Sequence, residues 1–433
     1  WSFCNTHDFV INGILDSTFN HWLFSRLIES KIPVKWSVAY KKVDLSQRKT
    51  KSPKNIKQKI YDQLIFHFPI LSVKGMGIIS GLALQALISF RNITSLRKIR
   101  KKKIKSHHAN SSLEWNLEWE DLVQKTIPKN IFSIKQKNVK PYKRIKHRIN
   151  CGSNLYYQEE LKIKIATQVE KGVELVLSQH GGFYGTSAVH SLVSAVEYAS
   201  ADKYLSWGWK KTTYMNGDTV PSPSPYLSKF NYKKEANKII FINSIKNIFP
   251  VRINSFRQPS DCFNERNYNY SFIKNLDTHL LDLFHYRPAL SHNGGGSTSS
   301  YDEQYINHLF PTVKMIKGDL HSQTMKCRLL VVDGPNTTFS IAMATNIPVI
   351  AFWNPLSDYI DSEAMPYFSA LKDVGILFDN PEDAAKQVNE IWDTLDTWWQ
   401  QPKLQKARQS WVTNYARKSK HWLKDWIKII CKL

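Results

Sequence analysis

The chain has 433 residues, 42% hydrophobic and 12% aromatic, which is enough apolar material for two or three buried cores and excludes a mainly disordered protein. Lys and Arg number 60 against 36 Asp and Glu, giving a formal net charge of +24. The five cysteines lie too far apart for a disulfide framework or a zinc module, so we expect a reducing compartment. Because the chain begins at Trp1 rather than Met, we also expect further sequence before it.

The positive charge is concentrated in the first half, where residues 1–230 carry +20 of the +24. Three basic runs, at 41–59, 97–105 and 135–148, account for much of it. Such runs are either solvated loops or attract a polyanion. Aromatic residues do not interleave with the runs as base-stacking platforms would, so an anionic membrane surface is favoured over nucleic acid.

The predicted elements begin with 75–90, whose 16 residues carry no charge. A membrane-spanning helix needs about 20 apolar residues, so this segment is expected to be a buried or surface-seated helix. From about residue 170, short β-branched runs alternate with helical patterns, which is typical of a parallel sheet covered by helices. The predicted strands are 173–178, 202–209, 239–243, 312–316, 329–333, 349–352 and 375–378.

The predicted helices fall between these strands and at both ends of the chain. They are 20–29, 113–123, 186–199, 270–285, 337–345, 362–371, a helix opened by Asn380 and Pro381, and an amphipathic stretch at 404–430. Residues 217–225 (GDTVPSPSP) have the composition of an interdomain linker.

The segment 329–340 (LLVVDGPNTTFS) carries the most information about chemistry. A buried strand ends at Asp333, and Asn336, Thr337 and Thr338 stand where a helix begins. Ligands of parallel sheets bind beyond the carboxyl ends of the strands, where a helix N-terminus suits a phosphate. Asn and Thr are also ordinary capping residues, so a plain N-cap is the alternative.

The segment 179–185 (QHGGFYG) also follows a predicted strand directly. Gly181 and Gly182 allow a ligand close to the backbone, and His180 is then placed at the edge of a cleft as an acid, a base or a phosphate contact. A structural histidine is the alternative. Glu197, on the next helix, is either a surface carboxylate or a second cleft residue.

Two arginines in the second half, Arg257 and Arg287, suit bidentate binding of phosphate, although surface ion pairs are the commoner use. The run 294–300 (GGGSTSS) is either a loop over a site or a linker. Four tryptophans are expected in packed cores or between domains, with sugar stacking as the alternative for one of them: Trp207, Trp209, Trp398 and Trp399. No Walker A, HExxH, GxSxG or EF-hand pattern occurs, which disfavours kinases and the common hydrolases.

Four segments taken in order resemble a bacterial family of surface-polysaccharide (O-antigen locus) transferases. They are LSQHGGFYG, DKYLSWGW, VVDGPNTTFSIAMATNIPVIAFWNP and GILFDNPEDAAKQVNEIW, within residues 170–430, with a fainter match near 12–25. The resemblance implies an α/β, GT-B-like fold: two Rossmann-type domains face a cleft, and C-terminal helices pack back across both. It places an acceptor-side domain at 1–225, which need not be complete, a nucleotide-sugar-binding domain at 226–400 and a C-terminal helix at 401–433.

The resemblance also implies site residues and partners. It marks His180, Gly181 and Gly182 as cleft residues and Asp333 with 336–338 as the donor-side loop. The expected catalytic residues are His180, Glu197 and Asp333, and the expected donor contacts are Asn336, Thr337, Thr338, Arg257, Arg287, Gly181 and Gly182, with neither a metal nor another cofactor. The expected partners are a nucleotide-activated sugar and a lipid-linked or lipopolysaccharide acceptor, at the inner face of the cytoplasmic membrane.

The donor stays open at this point. Ala342 and Ala344 stand where GT-B donor helices often carry a ribose-binding Glu, and a wider similarity to Kdo-type ulosonic-acid transferases suggests a cytidine nucleotide. Two other functions remain as alternatives: a nucleic-acid-binding protein, and a non-catalytic assembly protein with a GT-B fold.

Overall fold

A computed structural model describes residues 56–94, 146–157, 159–188, 193–212, 217–234, 236–244, 259–288, 299–316, 320–356 and 359–433. These residues form two parallel sheets with helices, so the predicted α/β class is confirmed. The helices predicted at 20–29 and 113–123 and the basic run 97–105 lie outside the described residues, as do most of the runs 41–59 and 135–148.

The first sheet has four parallel strands in sequential order: β1 (His147–Cys151), β2 (Glu174–Ser178), β3 (Lys203–Ser206) and β4 (Asp218–Pro221). β2 and β3 lie where strands are predicted. The linker predicted over 217–225 is wrong in its first half, because these residues pair with β3 as an edge strand. An edge strand tolerates a terminal proline such as Pro221, since its outer hydrogen-bonding groups need no partner strand.

The second sheet has six parallel strands: β5 (Ile239–Ile242), β6 (Phe284–Arg287), β7 (Lys314–Met315), β8 (Leu329–Val332), β9 (Val349–Phe352) and β10 (Leu377–Phe378). Their order is β10-β9-β8-β5-β6-β7. This is the Rossmann order, in which the chain moves outward in opposite directions from a central pair. The switch point therefore lies between β5 and β8.

The α-helices of the described residues are α1 (Ile56–His67), α2 (Ile78–Thr94), α3 (Asn154–Tyr157), α4 (Glu159–Glu170), α5 (Pro259–Lys274), α6 (Thr278–Leu281), α7 (Ser299–Leu309), α8 (Leu320–Thr324), α9 (Thr337–Thr345), α10 (Met365–Lys372), α11 (Pro381–Ile391), α12 (Leu395–Trp399), α13 (Pro402–Tyr415) and α14 (Trp422–Lys432). Of the helix predicted over 186–199, the structure has a π-helix at Val193–Tyr198, which carries Glu197. The predicted bounds of α9 are confirmed, as is the start of α11, where Asn380 accepts a hydrogen bond from the amide of Asp383. The helix predicted over 270–285 is wrong, because α5 ends at Lys274 and β6 occupies the end of that range.

The C-terminal helices cross from one sheet to the other, as predicted, although 404–430 is two helices rather than one. α13 packs on α9, where Arg408 donates to the carbonyl of Met343 at 2.6 Å. α14 instead packs on the first sheet, where Trp426 and Ile430 contact the apolar cluster that contains Val176. With its two parallel sheets and this crossing, the fold is GT-B-like.

The uncharged segment 75–90 forms most of α2, which is seated on the surface of the first sheet. Leu84 and Ile88 of α2 are buried, and Gly81 lies so close to Leu71 that a Cβ would overlap that side chain. Within the described ranges, no helix is both long and apolar enough to cross a membrane.

Because of Lys164 in α4, the free energy of unfolding should vary with pH in the alkaline range. The Nζ of Lys164 donates to the carbonyl of Phe66 at 2.8 Å, and burial together with the charge of Arg148 lowers its pKa to about 8. Between pH 8 and 10.5 the unfolded state therefore binds a proton that the folded state does not, so the free energy of unfolding rises with pH across this window. Urea unfolding should show a smaller rise with pH in Lys164→Met than in the wild type. The exposed Lys171→Met is the control, and an unchanged slope in Lys164→Met would contradict the assignment.

Candidate functional site

The carboxyl ends of β5 and β8, at the switch point, are held together by Asp333. Its Oδ1 accepts a hydrogen bond from the amide of Ser244 at 2.7 Å, and its Oδ2 accepts one from Asn269 Nδ2 at 3.1 Å. The side chain is buried, so Asp333 connects the loops after β5 and β8 with α5 and shapes the edge of the sheet. Its predicted catalytic role stays a prediction, and this geometry is that of a positioning residue.

Asn336 caps the helix that begins at the switch point. Its Oδ1 accepts from the amides of Thr338 and Phe339 at 2.8 and 3.1 Å. Its Nδ2 donates to Ser244 Oγ at 2.8 Å. The N-cap considered as the alternative is therefore present, and these two amides are satisfied by the protein itself. Thr337 keeps part of its surface exposed at the positive end of α9, whereas Thr338 is buried.

The loop after β2 is fixed by Gln179. This buried side chain donates to the carbonyl of Gly181 at 2.7 Å and accepts from Trp207 N and Trp209 Nε1 at 2.7 and 2.9 Å. Gly185 ends the loop at φ +72°, and a Cβ there would lie 2.5 Å from Trp209. Trp207 and Trp209 are thus buried packing residues, as are Trp398 and Trp399.

His180 and Glu197 are brought together by Tyr184, so Glu197 is not the surface carboxylate considered as the alternative. Tyr184 Oη donates to Glu197 Oε1 at 2.6 Å and lies 2.9 and 3.1 Å from the ring nitrogens of His180. Because the single phenolic proton goes to the carboxylate, the hydroxyl accepts from a His180 N–H and orients the ring. Tyr204 Oη holds the second carboxylate oxygen at 2.8 Å.

His180 and Glu197 differ in solvent exposure. The side chain of His180 is 23% exposed, whereas that of Glu197 is 0% exposed and lies 3.8 Å from Nδ1 of the imidazole. Glu197 therefore cannot touch a substrate and acts on His180 through its charge and Tyr184. Burial and the nearby carboxylate hold the pKa of Tyr204 well above its usual range, so this tyrosine stays a hydrogen-bond donor.

The two loops meet across the boundary between the sheets. The amide of Gly182 donates to Thr337 Oγ1 at 3.1 Å. A Cβ on Gly182 would overlap Ser340 Oγ and lie 2.6 Å from the carbonyl oxygen of Asn336. Nearby, the amide of Asp361 donates to the carbonyl of Thr186 at 2.8 Å. The histidine loop of the first sheet is thus in direct contact with the start of α9.

Of the remaining predicted residues, some lie at the carboxyl edge of the second sheet and others lie outside the described residues. Arg287 ends β6 beside β5, where its carbonyl accepts from the amide of Asn243 at 3.1 Å. Arg257 lies outside the described residues, as does most of the run 294–300. Among the described residues, no group of three His, Cys, Asp or Glu side chains could hold a metal ion.

Five residues of this arrangement are not singled out by the sequence analysis: Gln179, Tyr184, Tyr204, Ser244 and Asn269. Gln179 and Tyr184 carry a usable signal, since both lie in the same loop as His180. Ser244 and Asn269 act through contacts with segments far apart in the chain, and Tyr204 reaches Glu197 from the strand that follows it. Gly152 belongs with them, because a Cβ there would overlap the carboxylate of Glu197.

The family model for the LIC12162 family transferases matches residues 1–430. The chain belongs to this transferase family. The transferase predicted from the resemblance is confirmed. A search of curated protein sequences finds no significant match.

Several solved structures are similar to parts of this transferase. TarM is 13% identical with a TM-score of 0.39, and the match covers 66% of this chain and 54% of that one, so the chain spans about half the length of TarM. MurG of Acinetobacter baumannii is 12% identical with a TM-score of 0.34, over 67% and 74% of the two chains. The wall teichoic acid polymerase TagF is 9% identical with a TM-score of 0.34, over 66% and 71%.

Proposed function

We propose that this transferase moves a glycosyl group from a nucleotide-activated sugar to a hydroxyl of a lipid-linked or lipopolysaccharide acceptor. The observation that carries the proposal is the direct contact between the His180 loop and the start of α9 at the Rossmann switch point. A base and the positive end of a helix then lie on opposite sides of one boundary, which is the arrangement that transfer from a phosphate leaving group needs.

In the proposed reaction, the bond between the anomeric carbon and the donor phosphate breaks while a bond to the acceptor oxygen forms. The acceptor hydroxyl gives its proton to the imidazole of His180, and the nucleotide leaves with the bonding electron pair. The buried charge of Glu197 stabilises the imidazolium that results. Tyr184 keeps the ring oriented by accepting from a ring N–H.

The leaving phosphate would lie at the start of α9. Asn336 occupies the amides of Thr338 and Phe339, so we assign the donor contact to the hydroxyl of Thr337 and the field of the helix end, with Arg287 as a cation on the same sheet edge. Arg257 and the glycines of the histidine loop remain proposed contacts. No metal ion is required in this scheme, because these groups supply the positive potential.

We propose a membrane-bound acceptor because of the positive charge of the first half of the chain. The +20 carried by residues 1–230 suits the anionic inner face of the cytoplasmic membrane, where lipid-linked acceptors are found. We also propose CMP-linked ulosonic acids as one class of donor, alongside UDP-, GDP- and dTDP-linked sugars.

The donor proposal predicts thermal stabilisation by one class of nucleotide sugar. A ligand at about 100 times its Kd should add about 2.7 kcal/mol to the free energy of unfolding. Asn336→Ala should abolish this ligand-dependent gain, because the loop after β5 and the start of α9 lose their connection. The measurement is the melting temperature against a panel of UDP-, GDP-, dTDP- and CMP-linked sugars.

The control is Asn380→Ala, which removes an equivalent N-cap from α11. Each variant should lose about 1 kcal/mol of stability, but only the Asn336 variant should lose the response to ligand. Equal responses of both variants, or no response of the wild type to any donor, would contradict the proposal.

A further inference from the structure

The helix α2 presents apolar side chains on two opposite sides. Leu84 and Ile88 pack on the first sheet. With 100° between successive residues, Ile79 and Leu82 fall on the other side, where they are 86% and 39% exposed, and the neighbouring Ile78 is 60% exposed. Ala83 and Ala86 are exposed on that side as well. An uncharged outer face of this kind marks an interaction surface, since isolated surface helices are normally polar on the side that faces water.

A row of lysines lies next to this face. Trp426 and Ile430 of α14 belong to the same apolar cluster as Leu84 and Ile88, and this cluster packs on one face of the first sheet. Because both helices cover the same face of the sheet, their far sides point in the same direction. The far side of α14 carries three exposed lysines at successive helical turns: Lys424, Lys428 and Lys432.

We propose that the outer face of α2 and the lysine row of α14 together form a docking surface for an anionic lipid bilayer. α2 would lie in the plane of the headgroups, with Ile78, Ile79 and Leu82 in the acyl boundary, while the lysines contact anionic headgroups. The inference rests on the proposed function only in that a membrane-bound acceptor gives the docking its purpose.

Charge decides between a bilayer and other occupants of this face. A second copy of the chain would present the same uncharged face and the same lysine row, so it offers the lysines no anionic partner. A bilayer rich in anionic lipid offers both an apolar phase and the opposite charge. Stable peripheral binding takes two such signals, since one shallow apolar insertion alone is marginal.

The test is flotation of the full chain with vesicles of phosphatidylcholine, with and without phosphatidylglycerol. The wild type should float only with the anionic lipid, and salt should weaken binding. Ile79→Gln with Leu82→Gln should lower the partition constant at least about tenfold, because two inserted aliphatic side chains are lost. Lys424→Gln with Lys428→Gln should lower it about tenfold at low salt and remove part of the salt dependence.

The matched control is Leu356→Gln, which removes a 74% exposed leucine from the segment after β9 of the second sheet and should leave flotation unchanged. Binding that is equal without anionic lipid, or insensitive to the α2 pair, would overturn the proposal. A change of oligomeric state in the α2 variant, measured by light scattering, would assign the face to a second copy instead. Donor-dependent thermal stabilisation should be the same in all these variants, so failure of the docking surface is distinguishable from failure of the proposed transfer.

Discussion

Replacing His180 with alanine is expected to lower turnover by about 10² to 10⁴-fold while leaving the fold intact. His180 is the exposed member of the His180–Tyr184–Glu197 group, and its imidazole is the base assigned to the acceptor proton. The side chain is on the surface of its loop, so its removal leaves Tyr184 and Tyr204 bonded to Glu197. The measurements are initial rates of sugar transfer at saturating donor and the melting temperature of each variant.

His421→Ala, which removes an exposed histidine before α14, is the control and should transfer at the wild-type rate. Two further variants separate a positioning role from a merely structural one. Tyr184→Phe should lower kcat more than it changes KM, because the imidazole loses its orienting acceptor. Glu197→Gln should also lower kcat more than it changes KM, because the imidazolium formed during transfer loses the buried charge that stabilises it. Full activity of His180→Ala would show that His180 is not the base that accepts the proton of the acceptor hydroxyl.

Gly182→Ala is expected to separate the two loops and lower kcat/KM by about 10²-fold. The added methyl would overlap Ser340 Oγ and approach the carbonyl oxygen of Asn336 to 2.6 Å, which is backbone that cannot turn aside. The loop must then move away from α9 and lose the bond from Gly182 N to Thr337 Oγ1. A displacement of about 1 Å between reacting groups costs a rate factor of this size.

Gly181→Ala provides the comparison within the same loop. Its new Cβ would meet only the rings of Phe183 and Tyr184, at 3.2 and 3.3 Å, and side chains can yield by a few tenths of an ångström. Transfer rates should therefore fall less in this variant than in Gly182→Ala. If both glycine variants behave alike, the contact between the loop and α9 does not position the reacting groups.

The strands that sequence analysis identifies are those whose apolar character is local. β5, β8 and β9 are runs of buried aliphatic and aromatic side chains, and such runs are visible without a partner strand. β1 is different: all five of its residues are buried, yet Arg148 and Asn150 are polar, and Arg148 donates hydrogen bonds to Asn150 and Gln168. β4 and β6 are missed for a related reason, because proline, histidine and arginine in short segments conceal pairing that only neighbouring strands supply.

The candidate site shows the same division. Asn336 and His180 are recognised because each follows a predicted strand and stands next to glycine or threonine. Tyr204 and Asn269 carry no such signal, since their partners, Glu197 and Asp333, are reached through tertiary contacts. The role of Gly182 also changes, from a predicted ligand contact to a residue whose lack of a side chain lets two loops touch.

Amino-acid order alone specifies the parallel α/β class, the transferase resemblance and the start of α9, because each depends on neighbours within a few residues. The meeting of Gly182 with Thr337 joins positions 155 residues apart, and no local pattern encodes it. The packing of both sheets determines that contact. It also determines that Glu197, and not Asp333, lies beside His180. A buried carboxylate needs donors on every side, and only the folded chain brings Tyr184 and Tyr204 to Glu197.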